Sequence, residues 1–339
     1  MRRAWRRPGG FSPSGISSAT CGFIARVRGP AREPARSVTP APAAICETRC
    51  IVTLSNADYI FVNGKWVGPG EALVPVEDRG YQLADGVYEV VRVYGGRAFA
   101  LQPHLDRLAR SAAELEMDLP LTLDEVGALV KEAPGRRGVE DGQVYIQVTR
   151  GAAPRVHHFP EDARPSLVVY ASPLRRQPAA LYETGADAVV VPDERWLRCD
   201  IKSINLLPNA LAKEKARRAG ALEALLLREG VGMTEGSSSN LFIVRDGRLE
   251  TAPASRWILR GITRDIVLEL AAQAHIPAAE RFFSKEELLS ADEAFVTSTT
   301  MEVMPLARVD GQAIGAGRPG PVTKTLMAAF RERVRAEIG

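Results

Sequence analysis

The chain has 339 residues, 45% of them apolar and 25% charged, the composition of a globular protein long enough for two domains of ordinary size. Its formal charge of +3 is unevenly spread: residues 1–50 hold nine Arg, no Lys and only Glu33 and Glu47, whereas the rest carries 35 basic against 39 acidic residues. A mildly acidic body gives no reason to expect nucleic-acid binding, and no apolar run nears the roughly 20 residues of a membrane helix.

The first fifty residues combine Arg2, Arg3, Arg6 and Arg7 with Pro, Gly, Ser and Ala and show no periodic apolar face. They read as an organelle transit peptide, a basic nucleic-acid arm, or an upstream stretch from an over-extended gene start. The last is favoured, because the amphipathic spacing of a transit helix is poor. Residues 1–57 are therefore expected to be a disordered extension, and the protein cytoplasmic unless a transit peptide sends it to an organelle. Cys21, Cys46 and Cys50 lie in this stretch. Cys199 stands alone in the body, so neither a disulfide framework nor a cysteine zinc site is expected there.

Ordered structure should begin near Asp58. Residues 59–62, Asn63-Gly64 and residues 65–67 read as a strand, a tight turn and a returning strand. Residues 101–117 have helical spacing at Leu105, Leu108, Ala112 and Leu115, with Pro103 in the first turn. A second helix is expected over 123–133, ended by Pro134-Gly135, and 143–149 and 167–171 read as strands. The stretch 172–180, with Pro173 and Pro178, looks like a connection between domains. Beyond it, strands are expected at 188–191, 222–227, 240–244 and 293–296, and helices at 205–219, 263–274 and 322–338. The order predicts an α/β (α+β) protein with an N-terminal domain over 58–173, a linker at 174–180 and a C-terminal domain over 181–339.

Lysine is scarce, 7 residues against 37 Arg, which makes Lys202 visible in the apolar-flanked segment Cys199-Asp200-Ile201-Lys202-Ser203-Ile204. Unlike arginine, lysine can lose its proton on desolvation and attack a carbonyl. Glu235 leads a run of small hydrogen-bonding residues, Gly236-Ser237-Ser238-Ser239-Asn240. An amine and a carboxylate of this kind suit pyridoxal phosphate, which needs a Schiff-base lysine and a partner for its pyridinium nitrogen. His104, His158 and His275 form no metal-ligand pattern, and no metal is expected.

From Tyr59 onward the chain resembles the class IV (fold type IV) pyridoxal-phosphate aminotransferases, and within them the D-amino acid aminotransferases. The likeness rests on ordered blocks: Glu77-Asp78-Arg79-Gly80-Tyr81-Gln82, Asp85-Gly86-Val87-Tyr88-Glu89, His104-Leu105-Asp106-Arg107-Leu108 and Val148-Thr149-Arg150-Gly151. They continue as Arg195-Trp196-Leu197-Arg198 before Lys202, the Glu235 loop, Gly261-Ile262-Thr263-Arg264-Asp265 and Val296-Thr297-Ser298-Thr299-Thr300. The resemblance implies a two-domain fold with the cofactor lysine, Lys202, in the larger C-terminal domain. It gives Lys202 the Schiff-base and proton-transfer roles and Glu235 the pyridine nitrogen. It also implies that Arg107, Ile262, Thr263, Ser298 and Thr299 hold the phosphate, with Leu259 against the ring.

The same resemblance makes Tyr88, Arg155 and His157 a trap for the substrate carboxylate. By alternation, Arg155 and His157 would share one face of an extended segment. The branched-chain enzymes of this fold lack the Pro-Arg-x-His block, and aminodeoxychorismate lyases differ there too. The implied activity is ping-pong transamination from D-alanine and related D-amino acids to 2-oxo acids such as 2-oxoglutarate, in a homodimer. A branched-chain L-amino acid aminotransferase or an aminodeoxychorismate lyase is the alternative. No nucleic-acid or membrane partner is expected.

Overall fold

Asn63 and Gly64 take positive φ, 47° and 94°, and join β1 (Ile60–Val62) to β2 (Lys65–Val67) through the two-residue turn that suits strand twist. The structure, a computed structural model, describes residues 59–339, so the expected extension over 1–57 and its three cysteines lie outside the described residues. A short helix α1 (Arg79–Leu83) precedes β3 (Gly86–Tyr94), which turns at Gly95-Gly96 into β4 (Arg97–Ala98). Then come α2 (Leu101–Glu114), α3 (Leu123–Arg137), β5 (Gly142–Thr149) and β6 (Ser166–Pro173).

These strands form a six-stranded sheet in the order β2-β1-β6-β5-β3-β4, with antiparallel pairing throughout. Alternation turns Val87, Val91 and Val93 of β3, with Val144, Ile146 and Val148 of β5, onto Leu105 and Leu108 of α2 and Val126 and Val130 of α3. Glu89 lies on that same inward face and is fully buried. Helix α3 overruns its expected end. A capping box of Thr122 and Glu125 starts it, Pro134 falls in its last turn, and Gly138 at φ 68° ends it.

The second half contains α4 (Ala180–Thr184), β7 (Ala186–Pro192), α5 (Leu207–Arg218), β8 (Glu223–Arg228), β9 (Gly232–Gly236), β10 (Asn240–Arg245) and β11 (Arg248–Thr251). It continues with α6 (Ile262–Gln273), β12 (Ala278–Glu280), α7 (Lys285–Leu289), β13 (Glu293–Ser298), β14 (Glu302–Val309), β15 (Gln312–Ala313) and α8 (Pro321–Ile338). Its nine-stranded sheet runs β12-β11-β10-β13-β14-β7-β8-β9, with β15 on β14, and mixes parallel with antiparallel pairs. One face gathers Ala188, Leu225, Met233, Leu241, Val296 and Met304 into a core. The other packs Phe242 and Phe295, stacked at 4.9 Å, against Val267 of α6 and Phe330 of α8. Among the described residues no helix is long and apolar enough to cross a membrane.

Candidate active site

Lys202 belongs to the second half of the sequence but is hydrogen-bonded to the first sheet. Tyr88 N donates to Lys202 O at 3.0 Å, Ile204 N donates to Gly86 O at 3.0 Å, and Val87 and Ser203 form an antiparallel bridge. Ser111 of α2 accepts from the Lys202 N–H at 3.2 Å. With the backbone tied on both sides, the half-buried side chain carries Nζ to 4.3 Å from the centroid of the Tyr88 ring. Three residues earlier, burial pushes the Cys199 thiol up to about 11, so it stays protonated at neutral pH and is a poor nucleophile.

Glu235 closes β9 and is buried, held by donors from three directions. Arg195 Nη1 donates to Oε1, Asn240 Nδ2 donates to Oε2 at 3.0 Å, and Leu259 N–H is shared between both oxygens at 3.2 and 3.1 Å. Burial pushes this carboxyl above the usual carboxylate range, against the pull of the Arg195 guanidinium. Arg195 is itself fixed by Asp193, through Nε and Nη2 at 2.9 Å each, and by Trp257 O at 3.1 Å. Burial works to raise Asp193, but the hydrogen bonds and charge of Arg195, with the charge of Arg228, hold it below its ordinary value. The loop after Glu235 turns its hydroxyls away to another buried carboxylate. Ser237, Ser238 and Ser239 all donate to Glu223, which Lys213 also contacts at 3.2 Å.

A group of backbone donors without a side-chain cap lies where α6 begins. Its N-cap, Gly261, offers no side-chain acceptor to the first-turn N–H groups of Ile262 and Thr263, which leaves those donors and the positive end of the helix dipole for a ligand. A Cβ at Gly261 would collide with Asn240 Oδ1, so glycine is needed for packing here. Arg107 reaches this end from α2, donating from Nη1 to Arg260 O at 2.8 Å while Nε and Nη2 grip Glu89 at 2.7 and 3.0 Å. His104 Nδ1 lies 2.8 Å from Glu89 as well. Burial works to raise Glu89, but Arg107 and His104 outweigh it and hold the carboxyl far below the usual range. Ser298 and Thr299 stand at the end of β13, beside Thr297, whose buried Oγ1 has no hydrogen-bond partner.

A single cavity of about 340 Å³ collects these groups: Lys202, Glu235 and Tyr88 line it, as do Arg107, Leu259, Ile262, Thr263, Ser298 and Thr299. Arg155 and His157 do not. They are exposed, on either side of Val156, whose carbonyl accepts from buried Arg79 Nη1 at 2.6 Å. Arg79 in turn pairs with Asp85 at 2.7 Å, so the two exposed side chains stand on an anchored backbone. Sequence reading gives no role to Arg195, Asn240 or Glu89. All three lie inside or beside the ordered blocks, and the Asp193-x-Arg195 spacing and the inward alternation of Glu89 among the β3 valines are the signals that point to them.

Residues 86–309 match the family described as amino-transferase class IV. The chain is similar to D-alanine aminotransferase of Bacillus licheniformis, 44% identical over 82% of this chain and 98% of the relative. It is likewise similar to that of Staphylococcus haemolyticus, at 42% over the same shares. Among solved structures it resembles the branched-chain amino acid aminotransferase of Escherichia coli, with a TM-score of 0.78 and 30% identity over 81% of this chain and 94% of that one. The branched-chain enzyme of Thermobaculum terrenum, in its PLP-bound holo form, gives a TM-score of 0.74 at 27% identity over 83% and 95%.

Proposed function

The chain belongs to the class IV aminotransferases, and on that premise we propose that it transfers the amino group of D-alanine and related D-amino acids to 2-oxo acids such as 2-oxoglutarate. The observation that carries the chemistry is one cavity joining an amine, a buried carboxylate held by fixed donors, and an uncapped helix N-terminus. Identity of 41–44% to relatives named D-alanine aminotransferase favours D-amino acids over branched-chain L-amino acids, since the branched-chain structures stand near 30%.

The residues present fit pyridoxal 5'-phosphate, the cofactor of this family. Thr297 Oγ1 is an orphaned buried hydroxyl at the cavity wall, the α6 N–H groups suit a phosphate, and Glu235 has a fixed carboxylate to offer a pyridinium N–H. When bound, the cofactor supplies an aldehyde that captures an amine and a protonated ring that accepts the electron pair released at Cα. In our reading Ile262, Thr263, Ser298, Thr299 and Arg107 hold the phosphate end, and Leu259 packs against the ring. Lys202 Nζ would hold the aldehyde carbon and, as a free amine, would take the substrate Cα proton and return it on the far side of the C–N linkage. Glu235 keeps the ring nitrogen protonated. Arg195 and Asp193 fix where that carboxylate points.

Tyr88, Arg155 and His157 bind the substrate carboxylate in this reading, the guanidinium by a two-point grip. The exposure of Arg155 and His157 in the single chain supports a reading in which they serve the cavity of a second copy in a homodimer. Exposed Leu197, Leu207 and Leu211, with Trp196 and Leu206 at the cavity wall, give that second copy an apolar surface to cover.

The test is a half-reaction on purified holoenzyme without an acceptor. D-alanine should release stoichiometric pyruvate and bleach the near-visible absorbance, and L-leucine should do neither. Bleaching by L-leucine alone would move the assignment to the branched-chain enzymes.

A further inference from the structure

The turn that brings Ser298 and Thr299 to the first cavity also walls a second one of about 520 Å³, lined by Thr300 and Glu302. Four arginines line it, Arg92, Arg176, Arg331 and Arg335, against two carboxylates, Glu183 and Glu302. Tyr94, Tyr182, Met327 and Val334 supply apolar wall. The volume is in the range of small-molecule sites, and a lining of arginines and aromatic rings suits an anion with an organic body.

The arginines are incompletely neutralised. Arg92 is buried, and although its Nη atoms serve Val93 O, Gly142 O and Asp141, its Nε is buried with no hydrogen-bond partner. Asp141 is shared between Arg92 and Arg176. Arg335 pairs with Glu332, while exposed Arg331 enters no ion pair among the described residues.

The wall between the cavities is a hairpin in which Ser298 pairs with Glu302. Glu302 takes a left-handed φ of 57°, an unfavourable conformation for a non-glycine residue. The tyrosines of the second cavity hold this turn in place. Tyr94 Oη donates to Glu302 Oε1 at 2.8 Å and Tyr182 Oη to Met301 O at 3.2 Å. On its other side Met301 N donates to Ser298 Oγ at 3.1 Å, one residue from Thr299. These bonds connect Tyr94 and Tyr182 to the Ser298 hydroxyl at the first cavity.

We propose that the second cavity is an effector site for a small organic anion, a carboxylate or phosphate on an apolar body, and that its occupancy is relayed through the Ser298–Glu302 hairpin to the anion-binding end of the first cavity. The relay rests on reading the first cavity as the cofactor site, while the binding site itself does not.

Benzoate, phenyl phosphate and neutral benzyl alcohol are titrated calorimetrically into holoenzyme, wild type and Arg331→Glu. Cofactor affinity is then measured with and without the bound probe. At least one anion should bind with a Kd of about 1 mM or tighter, and Arg331→Glu should weaken it about tenfold, with benzyl alcohol silent. Benzoate against phenyl phosphate identifies the head group. Cofactor affinity should shift by about twofold or more in wild type only. Failure of both anions to bind below about 10 mM, or binding that Arg331→Glu leaves intact, overturns the site. Arg331-dependent binding with unchanged cofactor affinity overturns the relay. D-alanine turnover without probe should be the same in both proteins. Its absence from wild type would overturn the proposed function and leave the binding result standing.

Discussion

Arg195→Met removes the one guanidinium that spans Asp193 and Glu235 while keeping most of the side-chain volume. The loss is unequal between the two acids. Asp193 keeps Arg228, at 3.0 Å, as a counter-charge, whereas Glu235 is left with the neutral donors of Asn240 and Leu259. Breaking a buried pair by removing one partner costs about 3–5 kcal/mol, and the surviving donors place this case near 3 kcal/mol at neutral pH. That is a large part of a total stability of about 5–15 kcal/mol. The pH dependence has a definite sign. Burial already raises Glu235, and without Arg195, its strongest opposing influence, the folded-state pKa rises further above the unfolded value of roughly 4.3. The folded variant then binds a proton that the unfolded chain has released, which stabilises it in acid and is lost as pH rises through the folded pKa. The urea midpoint of Arg195→Met should therefore fall furthest below wild type at pH 8 and approach it near pH 5. A deficit under about 1 kcal/mol at both pH values would refute the argument and class the pair with weak surface bridges.

Lys202→Ala should abolish turnover and leave no borohydride-fixed cofactor on the chain by mass spectrometry, and Arg155→Ala should raise the D-alanine KM with cofactor retained. Mixing those two proteins under exchange, assayed at D-alanine far below the raised KM so that each alone is nearly silent, tests the crossed site: an equal random mixture should recover about a quarter of wild-type activity, because half the dimers hold one intact site of two. No recovery would place Arg155 in its own chain's cavity. Gly261→Ala should weaken cofactor binding about tenfold or more by pushing Asn240 off Glu235, read by equilibrium dialysis, and unaltered affinity would remove Gly261 from the site. Glu223→Leu orphans the buried Ser237 and Ser239 hydroxyls, while exposed Ser238 turns to water and Lys213 keeps Leu222 O, and should cost about 2–4 kcal/mol in a thermal or urea melt. A shift within about 0.5 kcal/mol would show the serine loop needs no buried acceptor.

Chemistry is more legible in the sequence than backbone course. Lys202 and Glu235 can be named because their residue types and settings suit a cofactor site, and Ile262 and Thr263 because they lie in one of the ordered blocks, whatever the surrounding strands do. Strand β3 escapes the sequence reading although Val87, Val91 and Val93 alternate toward the core, because Glu89 and Arg92 interrupt the apolar pattern and are buried only through partners distant in sequence. Strand β14 is hidden by Pro305, which argues against a central strand. The proline is tolerated because it lies one residue before pairing with β7 begins. Helix α3 runs past Pro134 despite the intrahelical bond it removes, and closes through Gly138 N to Gly135 O and Val139 N to Pro134 O. The Arg195–Glu235 contact cannot be read from spacing, because it depends on how β9 and the loop at Trp257 come together.

The attachment of residues 202–204 to β3 also bears on when Lys202 reaches its place during folding. Its tethers, Tyr88 N to Lys202 O and Ile204 N to Gly86 O, join segments more than a hundred positions apart, and contacts of such high order form late and slowly. A ribosome must deliver most of the chain before Lys202 has an address, so early folding intermediates carry an ordinary, solvated lysine. In pulsed hydrogen exchange the Tyr88 and Ile204 amides should gain protection together, after the interior amides of β3 and β5.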